Sequence, residues 1–200
     1  MPSVVATMSI TLNGVGAGIN VTEEQPFGDL PESTFFRWMH ETPDENREAF
    51  DAIVAAGAFI MGRHMFGPVT GPWTGDWNGW WGPNPPYHAP VFVLTHHPRE
   101  SVVMEGGTVF HFVSDGIEAA LERAKDAAGD RPVHVAGGPT TTNAYLAAGL
   151  VDELYLNLNP TVADHGLRLF DGVGAIRLEQ VDVKPASQVT HVRYRVIRGV

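Results

Sequence analysis

His134-Val135-Ala136-Gly137-Gly138-Pro139-Thr140-Thr141-Thr142 reads as a strand that runs straight into a helix through two glycines. Val133 to Ala136 reads as a strand, and proline at the first helical position, then Tyr145, Leu146 and Gly149, mark the helix and its end. In open α/β sheets ligands gather at the carboxyl ends of the strands, where this turn lies. Glycine lets the backbone approach a ligand closely. The free N–H groups and positive dipole end of the helix favour an anion such as phosphate, and Thr140, Thr141 and Thr142 add hydroxyls. The G-x-G-x-x-G dinucleotide fingerprint is absent from the chain. Taken alone, the Gly-Gly turn is equally well a plain tight connection.

Two more strand ends carry similar chemistry. Ile60-Met61-Gly62-Arg63-His64 closes a strand over Ala58 to Met61 with a glycine and an arginine. The arginine fork matches phosphate oxygens bidentately, although one arginine by itself reads as a surface residue. Thr95-His96-His97 follows a strand over Val91 to Leu94 and offers a hydroxyl and an imidazole to a ribose or its phosphate. Adjacent histidines in a strand point to opposite faces, so no metal site is expected. Three strand ends suited to phosphate weigh more than any one of them.

Outward from these, the chain alternates strands and helices. Val4 to Leu12 is a first strand, ended by Asn13-Gly14 and a loop through Gly16 and Gly18. Phe35 to Met39 is a helical turn. Thr42-Pro43-Asp44-Glu45 reads as a helix start, with Phe50, Ile53 and Val54 at helical spacing before Gly57. Thr108 to Val113 is a strand, and Ser114-Asp115 cap a helix through Ala124 that ends at Gly129. Leu154 to Leu158 is another strand. Ala175 to Val183 and Val189 to Ile197 form a hairpin around Lys184-Pro185-Ala186-Ser187. The expectation is one α/β domain over residues 1–200, with a mostly parallel sheet, helices on both faces and an antiparallel C-terminal hairpin. Residues 67–90 differ: Trp73, Trp77, Trp80 and Trp81 stand among many Gly and Pro. Loops of that length in a compact domain are often functional.

Composition narrows the classes. A length of 200 residues supports a core without staples. There is no cysteine, which excludes a disulfide scaffold, a thiolate zinc site and a cysteine nucleophile. A net charge of -10 argues against a nucleic-acid partner. No apolar run approaches a membrane span and no secretory pattern opens the chain, so cytoplasm is the expected setting.

Met61-Gly62-Arg63-His64, Val93-Leu94-Thr95-His96 and Ala136-Gly137-Gly138 occur in the order and spacing of the dihydrofolate reductase fold. Ala147 to Leu154, which contains Gly-Leu-Val-Asp-Glu-Leu, and Leu167-Arg168-Leu169-Phe170 resemble the C-terminal reductase domain of the bifunctional riboflavin-biosynthesis deaminase–reductase and its stand-alone relatives. The resemblance covers nearly the whole chain. It implies an NADPH-dependent reductase, often a homodimer. It also implies that Gly62, Arg63 and His64 hold the adenosine-side phosphates, and that Thr95 and His96 border the adenosine ribose and its 2′-phosphate. Gly137, Gly138, Pro139, Thr140, Thr141 and Thr142 would hold the pyrophosphate, and the loop from Asn13 to Gly18 would approach the nicotinamide.

The chain departs from that family's pattern at two places. Ser-Leu-Asp-Gly is common where Thr11-Leu12-Asn13-Gly14 stands here, and Asn13 can hydrogen-bond a substrate but cannot donate a carboxylic proton. A glycine-rich loop is replaced by Ala163-Asp164-His165-Gly166, which makes His165 the first histidine to consider on the substrate side. His88 and His191 read as structural, and Asp152-Glu153 as solvated or interface acids. The tryptophan cluster, Trp81 included, is equally a platform for a planar ring and a hydrophobic lid or interface. With no cysteine, the zinc deaminase half is not expected. The expected function is hydride transfer from NADPH to a small pterin- or pyrimidine-like substrate. The alternative is a non-catalytic nucleotide- or ligand-binding module on the same fold.

Overall fold

The computed structural model describes residues 2–68 and 71–197. Val69 and Thr70, inside the Trp-rich stretch 67–90, lie outside the described residues, as do Met1 and residues 198–200 at the ends of the expected domain. The elements in chain order are β1 (Val4–Thr11), β2 (Val15–Ala17), α1 (Ser33–Glu41), α2 (Arg47–Val54), β3 (Ala58–Gly62), α3 (Arg63–Phe66), β4 (Pro90–Leu94) and β5 (Val102–Val103). They continue with β6 (Val109–Val113), α4 (Ile117–Ala128), β7 (Val133–Gly137), α5 (Pro139–Ala147), β8 (Glu153–Asn159), β9 (Leu167–Arg168), β10 (Arg177–Pro185) and β11 (Thr190–Ile197).

Among the described residues nine strands form one sheet in the order β10-β11-β8-β1-β7-β3-β4-β6-β5. The run from β8 to β6 is parallel, while β11 is antiparallel to β8, β10 to β11, and β5 to β6. This is the mixed α/β architecture expected, with the antiparallel hairpin at one edge. The faces follow from the two-residue period of each strand. Val4, Ala6, Met8 and Ile10 of β1, Ala58 and Ile60 of β3, and Val133 and Val135 of β7 point one way. They pack with Ala120, Leu121 and Ala124 of α4 and with Tyr145 and Leu146 of α5. Phe59, Met61, Val91, Val93 and Phe110 point the other way, into a second cluster that includes Phe66 and Tyr87.

Helices cover that second face as well. Trp38 of α1 is fully buried and meets the His191 ring edge-on at 5.1 Å, and His134 of β7 reaches the Ile53 carbonyl of α2 at 2.9 Å. His191 is the hub of a buried polar chain. Its Nδ1 lies 2.7 Å from Asn157 Oδ1 and its Nε2 lies 2.8 Å from Asn46 Oδ1. Asn46 Nδ2 donates to the Thr42 carbonyl at 2.7 Å and Asn157 Nδ2 to Ser9 Oγ at 3.2 Å.

Several local expectations need correction. Thr42 closes α1, with Oγ1 donating to the Trp38 carbonyl at 3.1 Å, and the next helix begins at Arg47. Ser114 and Asp115 do not cap α4: Gly116 takes that place at φ 98°, and Asp115 pairs with Arg123 at 2.5 Å. The hairpin turn sits two residues later than expected, closed by Ala186 N–H to the Val189 carbonyl at 2.9 Å. β2, β5 and β9 have three residues or fewer, too short for any periodicity to mark them.

Candidate functional site

Because β7, β3 and β4 are neighbours, the three glycine-, arginine- and threonine-bearing strand ends come together on one edge. Gly138 is the N-cap of α5 and Pro139 opens the helix, as the sequence suggested. A side chain at Gly138 would meet nothing within 4 Å, so the cap position of α5 faces open space. A Cβ on Gly137, at φ +115°, would stand 3.2 Å from the Met8 sulfur and 3.7 Å from that of Met65, and the Gly137–Gly138 peptide is cis. Gly62 lies so close to Thr141 that a Cβ there would stand 2.3 Å from the Thr141 hydroxyl, and Arg63 Nη1 is 3.5 Å from Thr95 Oγ1. Thr95, Arg63, Gly62, Thr141 and Gly138 therefore make one continuous row. Thr140 is exposed on the first turn of α5. His64 and His96 are exposed beside the row.

Two members of the expected phosphate set lie elsewhere. Thr142 is fully buried, its hydroxyl 3.3 Å from the Met8 sulfur, so it packs the helix onto β1 and offers nothing to the groove. Pro139 is buried too, its ring facing Gly16 of β2. That contact carries β2 and its loop across the start of α5.

The Trp-rich segment belongs to the same edge but not as a substrate platform. Trp81 stacks on Phe110 at 6.0 Å and meets Tyr87 edge-on at 5.2 Å, so its role is packing over β4 and β6. Trp73 is the residue at the site. Its indole N–H donates to the His97 carbonyl at 2.7 Å, and its face carries the Arg63 guanidinium. Arg99 lies beside the same ring. Burial, then the Arg99 charge, pulls Arg63 down to about 10. No local signal marks Arg99, which stands in a polar loop two residues past His97 and reaches the site only through the fold.

On the β1 side, Asn13 is engaged by the protein itself. Its Oδ1 accepts from Thr11 Oγ1 at 2.8 Å and from Ala163 N–H at 3.1 Å, and its Nδ2 donates to the Ala163 carbonyl at 2.6 Å. Arg168 donates to the Asn13 carbonyl, and β2 pairs with β9. Asn13 thus ties the loop after β1 to the loop after β8. His165 adds a second tie, with Nδ1 2.5 Å from Asp164 and Nε2 3.2 Å from Asp29. Hydrogen bonds to Asp164, then to Asp29, hold the imidazole above its ordinary value. An open groove of about 340 Å³ lies between α5 and β9 with the residues that follow it, lined by Thr140, Asn143, Arg168 and Asp171 among others. Among the described residues no three His, Asp or Glu side chains gather as metal ligands, and no helix is long and apolar enough to cross a membrane.

Residues 2–192 match the family model of the RibD C-terminal domain. The chain belongs to the RibD C-terminal domain family. Among solved structures it is similar to a candidate riboflavin biosynthesis protein from Shewanella sp. PV-4, at 19% identity and a TM-score of 0.66 over 98% of this chain and 99% of that one. It is similar to the Thermotoga maritima diaminohydroxyphosphoribosylaminopyrimidine deaminase/5-amino-6-(5-phosphoribosylamino)uracil reductase, at 14% identity and a TM-score of 0.62. There it covers 98% of its own length and 57% of the other chain, so it spans little more than half of that bifunctional protein. It is also similar to dihydrofolate reductase from Enterococcus faecalis complexed with NADP(H), at 16% identity and a TM-score of 0.57 over 97% and 96% of the two chains. No curated protein sequence matches it. At these identities the structural likenesses establish the fold, which is that of dihydrofolate reductase. The departures at Asn13 and Asp164-His165 stand within a RibD C-terminal domain framework, as two ties of the same loop.

Proposed function

We propose that this RibD C-terminal domain is an NADPH-dependent reductase acting on a small pterin- or pyrimidine-like substrate. The observation that carries the reading is the row Thr95–Arg63–Gly62–Thr141–Gly138, which aligns a hydroxyl, a guanidinium and an open helix N-terminus along the carboxyl ends of three adjacent parallel strands. The residues fit a dinucleotide. Gly138 leaves room for a pyrophosphate on the free N–H groups of α5, and Arg63 with Thr95 suits a further phosphate. Family membership and the dihydrofolate reductase fold support a reductase on this site.

The dinucleotide supplies the hydride. The protein's part is position and electrostatics. Gly16 against Pro139 brings the segment after β1 to the start of α5. Asn13 holds that loop to Ala163, acting on the substrate through loop position and not through a proton. The proton that completes reduction then comes from water or from the substrate. The homodimer and the cytoplasmic setting drawn from the sequence belong to the same reading, and sedimentation tests the first.

Pure protein titrated with NADPH is expected to show a thermal shift or a change in tryptophan fluorescence. No response at millimolar concentration would overturn the reading. The engaged state of Asn13 favours a second reading, a binding module without turnover. Binding of NADPH with no oxidation across a panel of pterins, pyrimidine aminoketones and quinones would establish it.

A further inference from the structure

Both ring nitrogens of His191 face amide oxygens. Nδ1 lies 2.7 Å from Asn157 Oδ1, and Nε2 lies 2.8 Å from Asn46 Oδ1. A neutral imidazole carries one N–H and one lone pair, so it donates to only one of the two. An imidazolium donates to both. A neutral ring in this place would set a lone pair against an oxygen at hydrogen-bond distance. Asn46, Asn157 and Ser9 are all buried, and such a contact is costly where water is excluded.

The two amides differ in their freedom to turn over. Asn46 is fixed, with Nδ2 facing the Thr42 carbonyl at 2.7 Å, Thr42 Oγ1 at 2.9 Å and the Trp38 carbonyl at 3.3 Å. Turned over, it would press Oδ1 against two carbonyls that can only accept. Nε2 therefore keeps its proton in either charge state of the ring. Asn157 has a partner that can reverse. Its Nδ2 donates to Ser9 Oγ at 3.2 Å, and a hydroxyl either accepts or donates. With Asn157 turned over, Nδ2 would donate to the bare Nδ1 of a neutral ring, and Oδ1 would accept from Ser9. Each contact of the chain would again join a donor to an acceptor.

We propose that His191, Asn157 and Ser9 form a proton-linked switch, in which Nδ1 of His191 exchanges a proton with solvent and the Asn157 amide turns over when that proton leaves. The observed geometry is that of the protonated ring. His191 is part-exposed, so protons reach it from solvent. Charged groups surround it on several elements. Lys184 lies opposite on β10, paired with Glu48 at 2.8 Å. Glu45, ahead of α2, accepts from Ser187. Arg193, two residues along β11, is paired with Glu153 of β8. Burial, then the Lys184 charge, holds the imidazole below its ordinary value, against the opposing pull of Glu45. The switch reverses the hydrogen bonds between the C-terminal hairpin and β1, whatever the strand ends bind.

The test is an NMR titration of the isotopically labelled native protein from about pH 8 to about pH 4.5, reading the His191 ring nitrogens and the side-chain NH2 groups of Asn157 and Asn46. At the upper end the ring is expected to be neutral and in its Nε2–H form. As Nδ1 gains its proton, the Asn157 NH2 signals are expected to move with the same midpoint, and those of Asn46 far less. Asn157→Asp presents an oxygen to Nδ1 in either orientation and adds a negative charge. It is expected to raise the His191 midpoint by about one pH unit or more. The unfolding midpoint of that variant verifies that the hairpin is intact. A neutral ring protonated on Nδ1, Asn157 signals that ignore the midpoint, or a ring that keeps one state throughout would each overturn the switch. An unmoved midpoint in folded Asn157→Asp would do the same. Should that variant fail to fold, the native titration decides alone.

Discussion

The edge formed by β7, β3 and β4 and the loops after β1 and β8 are the two halves of the proposed site, built by different means. The first is made of backbone: glycines, a helix N-terminus and strand order place its groups, and the interacting residues sit at the ends of adjacent strands. The second is made of side chains that bridge distant sequence. Asn13 bonds to Ala163 and Arg168 to Asn13, about 150 positions apart, and His165 reaches Asp29. The backbone-built half leaves little room for added atoms at Gly62 and Gly137. A side-chain-built half can be loosened one hydrogen bond at a time.

The largest effect is expected beneath the rigid half. His134 is buried, its Nδ1 bonded to the Ile53 carbonyl and its Nε2 without a partner. Burial pulls it down to about 4. A proton on Nε2 would have no acceptor, so the folded protein keeps the ring neutral while the unfolded chain protonates near pH 6.5. Folded stability is thus full above that value and falls as pH drops toward the folded pKa, by about 3 kcal/mol in all. Urea unfolding across this range measures it. His134→Phe is expected to flatten this part of the profile, and an equally steep acid loss in that variant would assign the effect to other groups.

Next comes a pair of neighbouring glycines that should fail in different ways. Gly137 has φ +115° with the Met8 sulfur 3.2 Å from any Cβ, so Gly137→Ala is expected to destabilise the fold by about 1–3 kcal/mol. A methyl at Gly138 meets open space and intrudes only on what binds there. Gly138→Ala is therefore expected to weaken NADPH binding by about tenfold or more, with the smaller loss of stability. The reverse pattern would show that this edge holds no pyrophosphate.

This contrast also explains what the sequence made legible. Strand ends, the Gly-Gly-Pro turn and the helix behind it are local signals, and α5 begins at Pro139 as read. Nothing local reveals that Thr142 turns inward, because a threonine in a first helical turn has the same neighbours in sequence whether it faces Met8 or solvent. Trp81 and Trp73 were indistinguishable in the same Gly- and Pro-rich stretch, and only the fold places one on Phe110 and the other on Arg63. Thr42-Pro43-Asp44-Glu45 carried every mark of a helix start, yet Thr42 is drawn to the Trp38 carbonyl and to Asn46, contacts that tertiary burial of Trp38 and Asn46 enforces.

In the side-chain-built half, Asn13 gives a sharper test. An aspartate there keeps the two bonds that Oδ1 accepts but sets a carboxylate oxygen against the Ala163 carbonyl, where Nδ2 now donates at 2.6 Å. Asn13→Asp is expected to destabilise the protein at neutral pH by about 1–3 kcal/mol, the cost of an unmade buried bond. The loss should shrink in acid relative to the native protein, since a protonated carboxyl donates to Ala163 again. A variant as stable as the native protein at neutral pH would show that the loops are not held through this amide.

The smallest effect is the one at His165. Asp164 and then Asp29 hold the imidazole above its ordinary value, while the Ile19 N–H and, less strongly, His165 hold Asp29 below the usual carboxylate range. Both carboxylates are ionised at neutral pH, so the sign follows from the histidine. Its contribution is fully present below about pH 6.5 and is lost as pH rises through the raised value. The groups are exposed, so salt screens the tie and its effect on global stability is slight. It should nonetheless be visible locally: amide exchange in residues 19–30 is expected to be slower at about pH 6 than at about pH 9, after correction for intrinsic rates. His165→Gln should remove that difference. Over the same interval a pH-dependent change in NADPH affinity that disappears in His165→Gln would locate the adjustable part of the site in the loops. One that persists would place it on the strand edge, and the division between a rigid and a loosened half would fail.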